Sequence, residues 1–170
     1  MRGSDPIVLF RRWGMVSSAI EALGRVQSIE EALEVLRARV RRIAQSDGVC
    51  VIRRVGDRVR YVGEDVVSPL WVGQDFPIET CISGMAMLER RAILIPDISV
   101  DSRVPLNAYL STFVASMAMF PLGTSEPFAA LGIYWQTPKP IEPAALTLVE
   151  TLARSANATF ERLALTRDAA

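Results

Sequence analysis

Two cysteines and two neighbouring aspartates are the side chains that could do chemistry in this chain, which has no histidine. Without histidine there is no Ser-His or Cys-His nucleophile pair and no histidine ligand for a metal or haem. Cys50 and Cys81 cannot complete a zinc cluster alone, so no metal site is expected. Cys81 precedes a predicted helix and could be redox-sensitive, although a small buried thiol is the simpler interpretation. Asp97 and Asp101 lie in a loop, where turn capping explains them better than acid–base catalysis.

Composition limits the classes of protein to which the chain can belong. The 170 residues hold 19 Lys and Arg against 19 Asp and Glu, whereas a nucleic-acid-binding domain is usually basic. Half of the residues are hydrophobic, which is typical of a globular domain. No apolar run approaches the roughly 18 residues of a membrane span, and no signal-peptide core is present. We therefore expect a cytoplasmic domain with reduced thiols, no membrane span and no nucleic-acid partner.

Helical periodicity marks both ends of the chain, and strand patterns fill the middle. Ser28 and Glu31 form a capping box at the start of a second helix, and Pro143 suits the first turn of a last one. This order predicts an α+β fold in which helices cover an antiparallel sheet. The predicted strands span residues 48–54, 58–66, 92–95, 113–122 and 128–136, and the short helices lie near 80–90 and 105–111.

The first and last helices each carry an apolar seam with alternating steps of three and four residues. If one sheet face cannot cover both seams, two chains could bury them as a homodimeric four-helix bundle. The competing interpretation is that both helices pack only on their own sheet. The candidate dimer residues are Leu9, Trp13, Val16, Ile20 and Leu23 in the first helix and Leu146, Val149, Ala153, Ala156, Phe160 and Leu163 in the last.

Five short segments follow one another in the order of a known family. They are 76–78 with 81–84 (FPI, CISG), 91–98 with 101–103 (RAILIPDI, DSR), 115–122 (ASMAMFPL), 130–135 (ALGIYW) and 148–153 (LVETLA). Together they resemble a GAF domain: its loop and helix before the central strand, its Asp-containing segment, two strands and the final helix. The resemblance covers about residues 25–165, with a possible dimerisation helix over 1–24 and a tail over 166–170.

The resemblance implies a fold and a role. The expected fold is a central antiparallel five- or six-stranded sheet, with the terminal helices on one face and short pocket helices on the other. GAF domains are mostly regulatory modules of signalling proteins such as sensor histidine kinases. They bind small molecules or chromophores beside the short helices and commonly dimerise through their terminal helices. We therefore expect a non-catalytic sensory module of two-component-type signalling, with a downstream domain or partner protein.

Methionine and aromatic side chains gather on the elements that should line such a pocket, where they suit an apolar or flat ligand. The same residues would also serve as ordinary core. The candidate pocket residues are Trp71, Phe76, Ile78, Cys81, Ser83, Met85, Met87, Asp97, Arg103, Tyr109, Phe113, Ser116, Met117 and Met119.

Other chemistries known among GAF domains fit less well. Bilin and haem sites generally need histidine, so no such cofactor is expected, and the motif of the cyclic-nucleotide group is missing. A methionine sulfoxide reductase of this family would need a set of cysteines that Cys50 and Cys81 do not reproduce. The alternatives to a ligand sensor are thus a ligand-free interaction module and, less well supported, a thiol-dependent reductase.

Overall fold

The computed structural model describes residues 5–168, so residues 1–4 and 169–170 of the predicted terminal segments lie outside the described residues. Ten helices and strands occur within that range, together with 3₁₀ turns at Ile78–Thr80 and Leu106–Ala108. They are α1 (Pro6–Arg25), α2 (Ile29–Ala44), β1 (Gly48–Val55), β2 (Arg58–Val66), β3 (Asp75–Pro77), α3 (Ile82–Glu89), β4 (Ile93–Ile95), β5 (Ser116–Leu122), β6 (Ala129–Trp135) and α4 (Pro143–Asp168).

The strands form one six-stranded antiparallel sheet in the order β3-β2-β1-β6-β5-β4. Hairpins join β1 to β2 and β5 to β6, as the strand patterns predict. Gly56 and Gly123, in the two hairpin connections, have φ angles of 63° and 109°, which favour glycine. The expected α+β fold with an antiparallel sheet is confirmed.

Side-chain caps set the starts of the first two helices. The carboxylate of Asp5 accepts a hydrogen bond from the backbone N–H of Ile7 at 2.9 Å, which starts α1. Ser28 Oγ accepts from the N–H of Glu31 at 3.1 Å, as the capping box predicts. The Glu31 carboxylate, however, accepts from the N–H of Gln27 at 2.8 Å and not from that of Ser28. Helix α4 continues through residues 166–168, which the sequence had suggested were a tail.

Helices α2 and α4 pack on one face of the sheet, which we call the helix face, and α1 packs on both of these helices. This arrangement corrects the expectation that one chain cannot cover both terminal seams. Most of the seam is buried within its own chain, while Trp13 and Ile20 stay exposed and Leu9 and Leu146 are partly buried. The buried seam residues are Val16, Leu23, Val149, Ala153, Ala156, Phe160 and Leu163.

A buried arginine ties the helix face together. Arg12, on α1, is only 2% exposed. Its Nε donates to the carbonyl of Ile43 in the last turn of α2 at 2.8 Å, and its Nη1 forms an ion pair with Glu142 at 3.0 Å. A cation at a helix C-terminus is favourable because the free carbonyls there carry partial negative charge. Arg12 therefore joins α1 both to α2 and to the segment that leads into α4.

None of the helices within residues 5–168 combines the length and the apolar character required to cross a membrane.

Candidate functional site

The opposite face of the sheet, the pocket face, carries α3, the two 3₁₀ turns and the loops around them. Strand alternation sends Met117 and Met119 of β5 and Cys50 of β1 to this face. Helix α3 packs on β5 and β6. The methionines and aromatic residues that the sequence singles out therefore gather here, beneath short elements rather than long helices.

A cavity of about 140 Å³ opens on the pocket face between β2, the loop before β3 and the two 3₁₀ turns. Aromatic rings form its walls. Trp71 stands edge-on to Tyr109, with ring centres 4.9 Å apart, and to Tyr61 at 5.4 Å. Phe76 stands edge-on to Tyr61 at 5.7 Å. The remaining lining residues are Thr80, Cys81, Pro105 and Ala108.

Backbone hydrogen bonds hold Trp71 at the cavity wall. The Glu64 carboxylate accepts from the N–H groups of Leu70, Trp71 and Val72 at 3.2–3.3 Å. The loop then turns at Gly73, whose φ of 85° favours glycine and whose N–H donates to the carbonyl of Tyr61 at 2.8 Å. One carboxylate of β2 thus fixes the segment that carries the central ring.

Cys81 brings a thiol to the cavity edge, immediately before α3. Its Sγ accepts from the Ser83 hydroxyl at 3.3 Å and lies 3.7 Å from the carbonyl oxygen of Pro77. Cys50, by contrast, is fully buried in the middle of the sheet. Burial raises the pKa of the Cys50 thiol, which disfavours its reactive thiolate form. Cys81 is therefore the more accessible of the two thiols.

Tyrosine hydroxyls bordering the cavity remain protonated. Burial raises the pKa of both Tyr61 and Tyr109. The Tyr109 hydroxyl lies 4.0 Å from Met117 Sδ, a weak partner. The walls are therefore neutral, and they offer apolar ring surface to whatever enters.

A second, more polar cavity of about 300 Å³ adjoins the first. Trp71, Phe76 and Ala108 line both cavities, so these three residues stand between the two spaces. The outer cavity adds the polar side chains of Gln74, Asn107, Ser111 and Thr112. A molecule seated across both would meet aromatic rings at one end and amide and hydroxyl groups at the other.

Four of the candidate pocket residues line the aromatic cavity, namely Trp71, Phe76, Cys81 and Tyr109. Others lie in the same packed cluster without lining it, because close packing leaves no space beside them. Met85 and Phe113 are partly buried against that cluster. The fully packed candidates are Ile78, Ser83, Met87, Met117 and Met119. The cavity thus lies beside β2 and not beside β5, the strand that carries the candidate residues Met117 and Met119.

Three polar candidates lie elsewhere. Ser116 is on the helix-face side of β5, and its hydroxyl donates to the carbonyl of Thr137 at 2.9 Å. Asp97 caps its own turn by accepting from the N–H and hydroxyl of Ser99, which lowers its pKa. Arg103 forms a local ion pair with Asp101 at 2.6 Å and lowers the pKa of that carboxyl. None of the three lines the cavity, because each is bonded to its own neighbourhood.

The sequence analysis missed four lining residues, and Tyr61 is the one among them that the sequence could have indicated. It alternates with Val59 along β2, so strand period alone places its side chain on the same face as Val59. The turn residues Thr80, Pro105 and Ala108 carry no such signal, because they reach the cavity only through the course of the loops.

Comparison with solved structures identifies proteins of similar architecture. The free methionine-R-sulfoxide reductase of Neisseria meningitidis matches with a TM-score of 0.79, 11% identity and coverage of 98% of this chain and 96% of that one. The GAF domain of an Acinetobacter phosphoenolpyruvate-protein phosphotransferase matches with a TM-score of 0.75, 14% identity and coverage of 94% and 96%. The chromophore-binding domain of an R. palustris bacteriophytochrome matches with a TM-score of 0.79, 15% identity and coverage of 98% and 65%.

At such identities these structures share the fold: an antiparallel sheet between a helix layer and a layer of short helices and loops. No curated protein sequence matches the chain. The family model of the GAF domain matches residues 26–161. The chain therefore belongs to the GAF domain family.

Proposed function

We propose that this GAF domain is a regulatory module that senses a small molecule in the aromatic cavity and passes the signal through its terminal helices. The cavity bounded by Tyr61, Trp71, Phe76 and Tyr109 is the observation that carries the proposal. It lies on the face of short elements, where a ligand can displace a loop without breaking the helix layer. As part of a two-component-type signalling protein the module would act in the cytoplasm, which keeps Cys50 and Cys81 reduced.

The size of the cavity limits the ligand. At about 140 Å³ it is below the range of about 300–1,000 Å³ for drug-sized ligands. It is close to the roughly 150 Å³ of an apolar cavity that takes up one benzene ring. A single ring or a short branched chain would fit, with polar groups reaching toward Gln74 and Asn107 in the outer cavity.

A thermal-shift screen of single-ring and short aliphatic compounds tests ligand binding. At least one compound should raise the melting temperature in a concentration-dependent way, since a ligand that binds only the folded state stabilises it. The shift should be lost in Trp71→Ala and kept in Phe128→Ala, an aromatic truncation on the helix face. If no compound shifts the wild type and native mass spectrometry of freshly purified protein shows only the bare chain, the ligand-free interaction module becomes the better description.

Exposed apolar residues of α1 support a homodimer. Phe10 is 79% exposed, Ile7 64%, Trp13 37% and Ile20 36%. A large apolar side chain left in water forgoes about 1.5–3 kcal/mol. A second copy could cover this side of α1, and α1 in turn packs on α4. A ligand that shifts α3 against β5 and β6 could then alter the position of α4 and, through it, the pair of helices.

Sedimentation of the wild type and of Trp13→Glu/Ile20→Glu tests the dimer. These two positions are exposed in one chain, so the double variant should fold and be monomeric, while the wild type is dimeric. A wild type that remains monomeric at high concentration would exclude the dimer and this route of signalling.

The proposal includes no catalysis. A thiol reductase needs a reactive thiolate and a second thiol that resolves the oxidised intermediate. Cys81 lies at the cavity, but Cys50 is buried and its raised pKa disfavours the thiolate. We expect no thiol-dependent reduction of methionine sulfoxide. Turnover that disappears in Cys81→Ser would overturn this part of the proposal. Because the chain lacks histidine, we also propose that it uses neither bilin nor haem.

A further inference from the structure

A groove of about 420 Å³ runs between α1 and α2, on the outer side of the helix layer. Helix α1 supplies residues spaced three or four apart, which form one stripe of that helix. Trp13 and Ile20 belong to a different stripe, whereas Ile7 lies one turn before Arg11 on the groove stripe, so the groove adjoins the surface proposed for dimerisation at that end. The groove, which we call the arginine groove, is lined by Arg11, Gly14, Met15, Ser18, Ala38, Arg39 and Arg42.

The arginines of α2 divide into two sets. Arg37 forms an ion pair with Glu34 at 2.5 Å, and Arg41 forms one with Asp65 of β2 at 2.8 Å. Arg39 and Arg42 point to the other side of the helix, toward α1. Together with Arg11 they form no ion pair with any carboxylate of residues 5–168. Three positive charges therefore meet around one groove, although the chain as a whole has a net charge of zero.

Two features prepare the groove for contact. Arg39 Nη1 donates to Ser18 Oγ at 3.1 Å, so this guanidinium already bridges the two helices. Gly14 lies inside α1, yet a Cβ built there would meet nothing within 4 Å. Glycine inside a helix costs about 1 kcal/mol relative to alanine, and no neighbour among residues 5–168 explains its presence. The missing side chain lowers the wall of the groove and leaves room for a close approach.

We propose that the arginine groove binds an acidic amphipathic helix of a partner protein. Met15 and Ala38 offer apolar surface to the inner side of such a helix. Arg11, Arg39 and Arg42 offer planar guanidinium groups, whose geometry matches carboxylates in paired hydrogen bonds. A bare polyanion such as a nucleic acid would use the charges but not the apolar surface. The partner is therefore defined by glutamates or aspartates that flank a small apolar seam.

Fluorescence anisotropy with a labelled synthetic peptide tests the proposal. The probe is a helix-forming peptide with Leu and Ala on one face and Glu on the other, compared with versions in which Gln or Lys replaces Glu. The Glu peptide should bind, and its affinity should fall as salt rises, since exposed charges are screened. The Gln peptide should bind more weakly, and the Lys peptide should not bind.

Two matched pairs of variants locate the binding. Arg39→Glu/Arg42→Glu should lower the affinity for the Glu peptide at least about tenfold, because attraction becomes repulsion at both positions. Arg154→Glu/Arg167→Glu reverses the charge of two exposed arginines of α4 and should change the affinity for the Glu peptide little. Gly14→Leu fills the groove without changing its charge and should also abolish binding. Gly24→Leu, at the other glycine of α1 with open space around it, should leave binding unchanged. Circular dichroism and melting temperature establish that each variant is folded.

Several outcomes would overturn the proposal. One is a Glu peptide that does not bind, or that binds the Arg39→Glu/Arg42→Glu variant as tightly as the wild type. A Gln peptide of equal affinity would show that charge does not matter. An oligonucleotide that binds with the same arginine dependence and the same affinity would assign the groove to polyanions. A wild-type dimer that Arg39→Glu/Arg42→Glu dissociates would assign it to a second copy of this chain.

Discussion

The two faces of the sheet bury their apolar residues in different ways. On the helix face, three helices of 16–26 residues interlock and bury most of their periodic seams, although Trp13 and Ile20 of α1 stay exposed. On the pocket face, an eight-residue helix, two 3₁₀ turns and several loops cover the sheet. The rings there pack edge to face, with angles of 62–88° between their planes, and leave a cavity between them.

The difference teaches where this fold can accommodate a ligand. Long amphipathic helices can slide and rotate until their side chains interdigitate, so they leave little space. Short elements are held instead by individual polar contacts, such as the Glu64 carboxylate on the loop of Trp71. Such elements open at lower cost than a core helix. Space and movement therefore coincide on the pocket face, and the helix face provides the rigid support.

The largest expected effect comes from the closest backbone contact on the pocket face. A Cβ at Gly84 of α3 would overlap the carbonyl oxygen of Ile78. We expect Gly84→Ala to destabilise the fold by about 4 kcal/mol, because backbone must move to make room. On the helix face Gly14→Ala meets nothing and should stabilise by about 0.5–1 kcal/mol. Urea unfolding of both variants measures this contrast, and equal effects would contradict it.

Truncation of an apolar side chain should cost more stability on the helix face than on the pocket face. Leu148 of α4 is fully buried in the helix face, and Leu148→Ala should cost about 3 kcal/mol through lost burial and a new void. Phe76 is only partly buried and already borders a cavity, so Phe76→Ala should cost about 1 kcal/mol. Urea unfolding measures both values. A Phe76→Ala cost as large as that of Leu148→Ala would show that the cavity is not a loosely packed site.

An ion-pair comparison sharpens the description of the helix face. Glu142→Gln leaves the buried Arg12 without its carboxylate and should cost about 2 kcal/mol, less than a fully buried pair because Glu142 is 34% exposed. Glu30→Gln breaks a pair with Arg53 in which Glu30 is 72% exposed, and it should cost less than about 0.5 kcal/mol. Thermal unfolding of the two variants provides the test. Equal losses would mean that Arg12 does not depend on its partner.

Alkaline pH should destabilise the fold through ionisable groups on the pocket face. Burial raises the pKa of Cys50, Tyr61, Tyr109 and Tyr134, all of which lie there. The unfolded chain releases these protons from about pH 8.5 for cysteine and about pH 10 for tyrosine, while the folded chain retains them. These four groups should therefore leave the free energy of unfolding unchanged between neutral pH and about pH 8.5 and make it fall as pH rises above that value.

Urea unfolding at fixed ionic strength from neutral to alkaline pH measures that slope. Tyr61→Phe removes one of the raised groups, so its slope should be shallower than that of the wild type above about pH 10. A flat profile in the wild type, or an unchanged slope in Tyr61→Phe, would show that these hydroxyls do not link proton release to unfolding.

Local sequence signals predicted most of the elements. Ser28 and the period of α2 located that helix, and alternation with a glycine-containing turn located β1 and β2. These signals succeed because caps, turns and periodicity depend on residues that are close in the chain. They were less exact where an element is short: the sequence predicts only one short extended piece within a loop over residues 68–77, where β3 lies, and the predicted helix near 105–111 is one 3₁₀ turn.

The sequence by itself determined which face of each element is apolar, and hence the α+β fold, the antiparallel sheet and the family. Only the tertiary structure decided what each face meets. Val149 and Phe160 follow a seam that suits a partner chain equally well. Only the packing of the three helices shows that both residues are buried within their own chain. Likewise Met117 and Trp71 both point to the pocket face, but only Trp71 borders a cavity. The physical reason is that the periodicity of a sequence determines the direction in which its side chains point, whereas a cavity is the space that remains after all side chains have packed.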